Sequence, residues 1–100
     1  MTEIIIGAGA SGLACTIRLK QNMPNDEVIL LERLDTLGKK ILATGNGRCN
    51  LSNEHAEHYR EVINFFNNIG LKTKSDSEGR IYPYSNQAAT VRDMLCLLYT

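Results

Sequence analysis

The 100-residue sequence has no tryptophan, only two prolines and no excess charge of either sign, its 11 basic residues being balanced by 11 acidic ones. With a pI near 6.7 it lacks the basic footprint that draws a protein to nucleic acid or to an anionic membrane surface. No nucleic-acid partner and no membrane association are expected. The apolar runs are a few residues long, far short of the roughly 20 that cross a bilayer, and the start lacks the basic lead and small-residue cleavage site of a secretory signal. The expected location is cytoplasmic. Cys15, Cys49 and Cys96 are widely spaced and contain no Cys-x-x-Cys pair, so neither a disulfide framework nor a zinc site is expected. His55 and His58 lie three apart with no third ligand, and no metal is assigned.

What is present is the patterning of one small globular domain: a hydrophobic content of 43% excludes disorder, and the length allows one core. Glu3 to Ile6 is a β-branched run that breaks at Gly7, and Ser11 to Gln21 then carries Leu13, Ala14, Ile17 and Leu19 at helical spacing. Pro24 and its polar neighbours close that helix. Val28-Ile-Leu-Leu31 follows as a continuous apolar run of the kind buried on both faces of a parallel sheet. Strand, helix and strand make a βαβ unit. Leu34 to Asn53 loses all periodicity and is rich in glycine, lysine and asparagine, which reads as a binding loop. His58 to Asn68 resumes helical spacing, Ser75 to Gly79 is a polar turn, and Ile81 to Tyr84 is extended. A last helix, with Ser85 as a candidate cap, presents Ala88, Val91, Met94, Leu95 and Leu98 on one face.

The sharpest local signal is Gly7-Ala8-Gly9-Ala10-Ser11-Gly12, a Gly-x-Gly-x-x-Gly between a predicted strand and a predicted helix. Gly7 permits the tight turn, Gly9 admits a pyrophosphate to the backbone, and Gly12 allows close packing of strand on helix. Free N–H groups and the positive end of the helix dipole, around Ala10 and Ser11, then face the phosphates. Glu32 stands 20 residues past Gly12, at the end of the second strand, where a carboxylate can take both hydroxyls of an adenosine ribose. A carboxylate there would repel a 2′-phosphate, so the pattern favours FAD or NAD over NADP. The alternative for Glu32 is a surface acid paired with Arg33.

Further along, Leu37-Gly-Lys-Lys-Ile-Leu-Ala-Thr-Gly-Asn-Gly-Arg-Cys-Asn-Leu-Ser-Asn53 and Gly79-Arg-Ile-Tyr-Pro-Tyr-Ser85 resemble the HI0933-like family of flavoproteins, which includes aminoacetone-oxidase-like and NAD(P)/FAD-dependent oxidoreductases. The resemblance runs from about residue 3 to residue 98, and its Gly-Lys-Lys and Gly-Asn-Gly-Arg-Cys-Asn blocks are more specific than the glycine turn. It implies an α/β, Rossmann-like domain with bound FAD, with NAD(P)H as a candidate electron donor and a small organic molecule as the substrate of full-length members. It implies the pyrophosphate at Gly7, Gly9, Ala10, Ser11 and Gly12, and the ribose at Glu32 beside Arg33. Lys39, Lys40 and the loop Gly45, Asn46, Gly47, Arg48, Cys49 and Asn50 would run along the flavin side, with Arg80 to Pro83 nearby. Lys39, Lys40 and Arg48 offer positive charge to a pyrophosphate, while Asn46, Asn50 and loop amides suit the polar edges of a flavin.

Full-length members of that family are about four times longer and insert a substrate domain that has no counterpart here. Residues 1–100 are therefore expected to form a single N-terminal FAD-binding domain or fragment, with a parallel sheet left incomplete. Residues 54–61 look shortened, and no role is carried onto them. Cys49 beside Arg48 could be redox-active, but without a nearby second cysteine a buried packing role is the expectation. Tyr82 and Tyr84 could pack on a flavin or fill the core. No residue stands out as a catalytic acid or base. Two alternatives stay open: a non-catalytic FAD- or NAD-binding module, and a Rossmann-type NAD dehydrogenase domain, which would leave the Gly-Asn-Gly-Arg-Cys-Asn block unexplained.

Overall fold

The computed structural model describes residues 1–99, with side chains through Leu97. The β-branched start forms β1 (Thr2–Ile6), the glycine turn leads into α1 (Ala10–Asn22), and the apolar run forms β2 (Glu27–Leu31). β1 and β2 pair in parallel, in register from Thr2 with Glu27 to Ile6 with Leu31. The expected βαβ unit of a Rossmann-type α/β fold is present. Leu13 and Ile17 bury the inner face of α1, and Thr16 sits beside them because its hydroxyl donates to the Gly12 carbonyl at 2.8 Å.

The sheet is covered on one face only, against the expectation that the run Val28–Leu31 would be buried on both. Val28 and Leu30 are half-buried, whereas Ile29 and Leu31 are exposed together with Ile4 and Ile6 of β1. The physical reason is that the later helices pack elsewhere. α3 (Ala88–Tyr99) lies against α1 and against Lys39–Gly47, tight helical turns broken at Thr44, Gly45 and Asn46, while α2 (Tyr59–Asn68) lies against a second sheet.

The short extended pieces that follow lie outside the parallel sheet. β3 (Ser52–Asn53), β4 (Thr73–Ser75) and β5 (Arg80–Pro83) form a separate antiparallel sheet in the order β3-β5-β4. The connection from β4 to β5 is a short turn, which can only return the chain antiparallel. Asp76 organises the turn by accepting from the N–H groups of Glu78 and Arg80, each at 2.9 Å, and from Arg80 Nε at 2.7 Å.

The core gathers Leu13 and Ile17 of α1, Ile41, Leu71, and Val91 and Leu95 of α3. Ser85, the candidate cap, lies three residues before the start of α3 at Ala88: its hydroxyl accepts from the Gln87 N–H, just outside the helix, at 3.2 Å and donates to the Thr90 hydroxyl at 2.8 Å. Ala88, Val91 and Leu95 are buried on the predicted face; the Leu98 side chain lies outside the described residues. α2 is strongly amphipathic yet buries no residue fully, its Phe65 and Phe66 rings meeting edge to face at 5.2 Å.

Candidate functional site

Gly7 has φ +98°, a conformation that glycine alone adopts freely, and its N–H donates to the Leu31 carbonyl at 2.7 Å. The turn is thereby tied to the end of β2. Gly12 packs so closely on the turn that a Cβ there would lie 1.8 Å from the Gly7 carbonyl oxygen. Gly9 is the opposite case: it is exposed, its backbone is extended, and a Cβ would meet nothing within 4 Å. It precedes α1 without offering a side chain to cap it. The first amides of the helix, at Ala10, Ser11 and Gly12, are therefore left for an external acceptor.

The Glu32 carboxylate reaches across to this turn. One oxygen accepts from the Ala8 N–H at 2.9 Å and the other from the Leu34 N–H at 3.0 Å, so its hydrogen-bond partners are backbone amides, and Arg33 and Lys40 act on it through their charge alone. These two bonds, the Ala8 bond first, hold the carboxyl below its ordinary value of 4.5. Ala8 is also held from the other side, where its carbonyl accepts from the Gly38 N–H at 2.7 Å. Gly38, at φ +65°, thus pins the start of the Gly-Lys-Lys block to the glycine turn. The result is a cleft of about 190 Å³ lined by Gly9, Glu32, Arg33, Thr36, Lys39 and Lys40, with Ala8, Leu34 and Gly38 completing it. Among the described residues, none of the ion pairs uses Arg33, Lys39 or Lys40. Their charge is available to an anion.

The loop from Gly45 to Asn50 does not line this cleft and is built onto β5. Gly45, Asn46, Gly47 and Cys49 all have positive φ, and a Cβ on Gly45 would stand 2.7 Å from the Asn50 nitrogen. The Arg48 guanidinium lies 4.3 Å from the Tyr82 ring centroid and donates to the Tyr82 hydroxyl at 3.3 Å. The Asn50 side-chain amide, oriented to match its neighbours, donates to the carbonyls of Ser52 at 2.7 Å and Ile81 at 3.1 Å. Cys49 is buried, and burial pushes its thiol up, with a hydrogen bond from Thr44 opposing only in part. A reactive thiolate is not favoured there. Arg80 is held by Asp76 at 2.7 Å and Glu78 at 3.4 Å, Tyr82 is buried beneath Arg48, and Tyr84 is exposed beside Lys74.

Sequence reasoning missed Ala8, Leu34, Thr36 and Gly38 as cleft residues. Gly38 carried a signal in its Gly-Lys-Lys block; Leu34 and Thr36 carried none. A larger groove of about 650 Å³ opens between α1 and α2, lined by Cys15, Arg18, His58, Val62, Phe65 and Phe66 among others. Neither the Gly7–Gly12 turn nor Glu32 lines it, so size does not mark the chemistry here. Among the described residues no helix is long and apolar enough to cross a membrane.

Comparison with known proteins agrees with this geometry. Residues 1–61 match the family described as the HI0933-like protein Rossmann domain, a stretch that contains the turn, Glu32, the two lysines and the Gly45–Asn50 loop. A 3-dehydro-bile acid delta(4,6)-reductase of Clostridium scindens is 44% identical over 110 aligned residues, covering 91% of this chain and 27% of that protein. A ribosomal RNA dihydrouridine synthase of Escherichia coli is 43% identical over 54 residues, covering 54% of this chain and 13% of that protein. The chain spans about a quarter of the length of the first relative and less of the second. With a Rossmann βαβ unit in place and more than half of its residues matched, the chain belongs to the HI0933-like family.

Proposed function

We propose that this chain is a single N-terminal FAD-binding domain of a flavin-dependent oxidoreductase, one that transfers two electrons between the flavin and a small organic substrate. The observation that carries the reading is the meeting, in one cleft, of the bare Gly9 backbone and the Glu32 carboxylate, with the uncapped start of α1 following directly on Gly9. The residues present fit the ADP half of such a cofactor. Gly9 leaves room for the pyrophosphate, the amides of Ala10 to Gly12 donate to its oxygens, and Lys39 and Lys40 balance its charge. Glu32 has accepting capacity left on both oxygens after its two backbone bonds, enough for the two hydroxyls of a ribose. The bound flavin would supply the electron transfer itself.

The size of the cleft adds a distinction. Sites that enclose a drug-sized ligand run to roughly 300–1,000 Å³, so about 190 Å³ suits a ribose and phosphate and not a whole dinucleotide. The flavin half would lie along the Gly45–Asn50 loop and outside this cleft. That favours, as a second reading for the chain acting alone, a dinucleotide-binding module without catalysis. The reductase name of one relative supports redox chemistry, but the two relatives' names point to unlike substrates and select none for this chain.

The test is titration of the purified, folded chain with FAD, NAD and NADP, followed by absorption spectra after excess flavin is removed. FAD is expected to bind, NADP to bind weakest because of Glu32, and a retained flavin band to be reducible by NADH or NADPH if the chain is catalytic. A folded chain that binds none of the three would overturn the proposal. Binding without reduction would leave the module reading.

A further inference from the structure

We propose that Asn46 is a site of spontaneous covalent modification, deamidation through a succinimide formed with Gly47, and that the closed Gly45–Asn50 loop holds the reaction back. The inference does not rest on which cofactor binds. Of the nine asparagines in the sequence, Asn46 alone is followed by glycine. That neighbour governs ring closure, because the attacking nitrogen is the main-chain N–H of the next residue and a Cβ there crowds its approach. Asn46 and Gly47 are both exposed, and apart from its chain neighbours a Cβ built on Gly47 would meet only the Leu42 carbonyl oxygen, at 4.0 Å. The peptide between them has room to turn, and glycine has the backbone freedom to follow. The step balances with no co-reactant but water. Gly47 N bonds to Asn46 Cγ, the Cγ–Nδ2 bond breaks, and ammonia departs with the proton that Gly47 N gives up. Water then opens the ring at either carbonyl, leaving aspartate or isoaspartate.

The loop geometry sets the gate. Ring closure needs the Gly47 nitrogen on the same side of the Cα–C bond as the Asn46 side chain. At φ 55° and ψ 40° that nitrogen stands nearly opposite Cβ, so the Asn46–Gly47 peptide must swing round before attack. Two hydrogen bonds resist the swing: Arg48 N–H donates to the Gly45 carbonyl at 3.1 Å, and Cys49 N–H donates to the Thr44 carbonyl at 3.0 Å. Arg48 is tied in addition to Tyr82. Reaction therefore passes through a local opening of the loop. The product does not close as before. Asparagine tolerates the left-handed backbone of this turn, whereas isoaspartate carries the chain through Cγ, adds a methylene to the turn and frees its α-carboxyl as a new anion. The net formal charge falls from zero to minus one. With the turn lengthened, Arg48 loses its seat on Tyr82, and the adjoining Cys49, buried in the intact loop, loses its cover.

The experiment incubates the 100-residue chain at mildly alkaline pH, folded and in urea, with peptide mass spectrometry to locate each converted residue and enzymatic methylation to detect isoaspartate. Asn46 is expected to convert ahead of every other asparagine in both states. In the folded chain it should convert roughly tenfold or more slowly than in urea, because only the open fraction of the loop reacts. The acidic fraction, separated by ion exchange, should alkylate at Cys49 faster than the unmodified chain. Asn46→Gln closes a six-membered ring far more slowly and should suppress the acidic fraction in urea, where folding plays no part. An Asn46 that outlasts other asparagines in urea, or equal rates in the folded and unfolded chain, would overturn the proposal. So would an acidic fraction that forms as fast in Asn46→Gln, or one whose Cys49 stays as protected as before.

Discussion

Alanine at Gly12 and alanine at Gly9 should have opposite consequences, and the structure says which way each goes. On helix propensity alone Gly12→Ala would stabilise α1 by about 1 kcal/mol. Packing reverses the sign: the new methyl would lie 1.8 Å from the Gly7 carbonyl oxygen and 3.0 Å from its carbon, main-chain atoms with no rotamer to escape into. The turn and α1 must separate by more than an ångström, loosening the Leu13 and Ile17 contacts. Overpacking of this kind costs about 1–3 kcal/mol and more when the obstacle cannot yield. In a domain of this size each kilocalorie shifts melting by about 4–8 °C, so a net loss of about 2 kcal/mol would lower it by about 8–16 °C. Gly9→Ala meets nothing within 4 Å and needs only an extended backbone, so its melting temperature should stay within a few degrees of wild type. Its FAD affinity should nonetheless fall, because the methyl occupies the approach of the pyrophosphate. Circular-dichroism melts and FAD titrations of both variants decide the matter. A Gly12→Ala protein that melts with the wild type would refute the packing argument, and a Gly9→Ala protein that loses stability while keeping affinity would refute the division of roles.

Glu32→Ala should weaken dinucleotide binding and free the Ala8 and Leu34 amides, which hydrogen exchange would report as faster exchange at those two positions. Because the folded carboxyl lies below its ordinary value of 4.5, its contribution to stability is complete above about that pH and is lost as the pH falls through the folded value. Melts from pH 6 to 3 should show this slope in the wild type and a shallower one in Glu32→Gln; parallel curves would refute it. Arg48→Ala should cost about 1 kcal/mol by removing the stacking on Tyr82, and Tyr82→Phe should cost less because the ring stays; equal losses would place the interaction in the hydroxyl. Among the cysteines, exposed Cys15 should alkylate first and buried Cys49 last, an order that timed mass spectrometry of the native chain would check.

The parts of the site that were legible in the sequence are those where backbone geometry dictates residue type. Gly7 needs a positive φ, Gly12 a missing Cβ, and Glu32 a place at a strand end, and each demand leaves a mark at fixed spacing. The βαβ unit was legible for the same reason. The bare sheet face was not, because Val28 to Leu31 reads as a buried strand whether or not the chain contains the elements to bury it. β3, β4 and β5 are two to four residues long, too short for alternation to identify a sheet partner. The attachment of the Gly45–Asn50 loop to β5 depends on Arg48 meeting Tyr82, 34 residues away, and no local pattern encodes that contact. Thr36 and Leu34 enter the cleft only because Gly38 bonds Ala8, again a tertiary event.

The central claim is that the glycine turn and Glu32 hold the ADP half of a dinucleotide. It is tested most directly by following the backbone amide resonances of the chain while FAD is added. The largest shifts are expected at Gly9 to Leu13, Glu32, Lys39 and Lys40. Shifts confined to the groove between α1 and α2, or no shifts at the turn at saturating FAD, would contradict it.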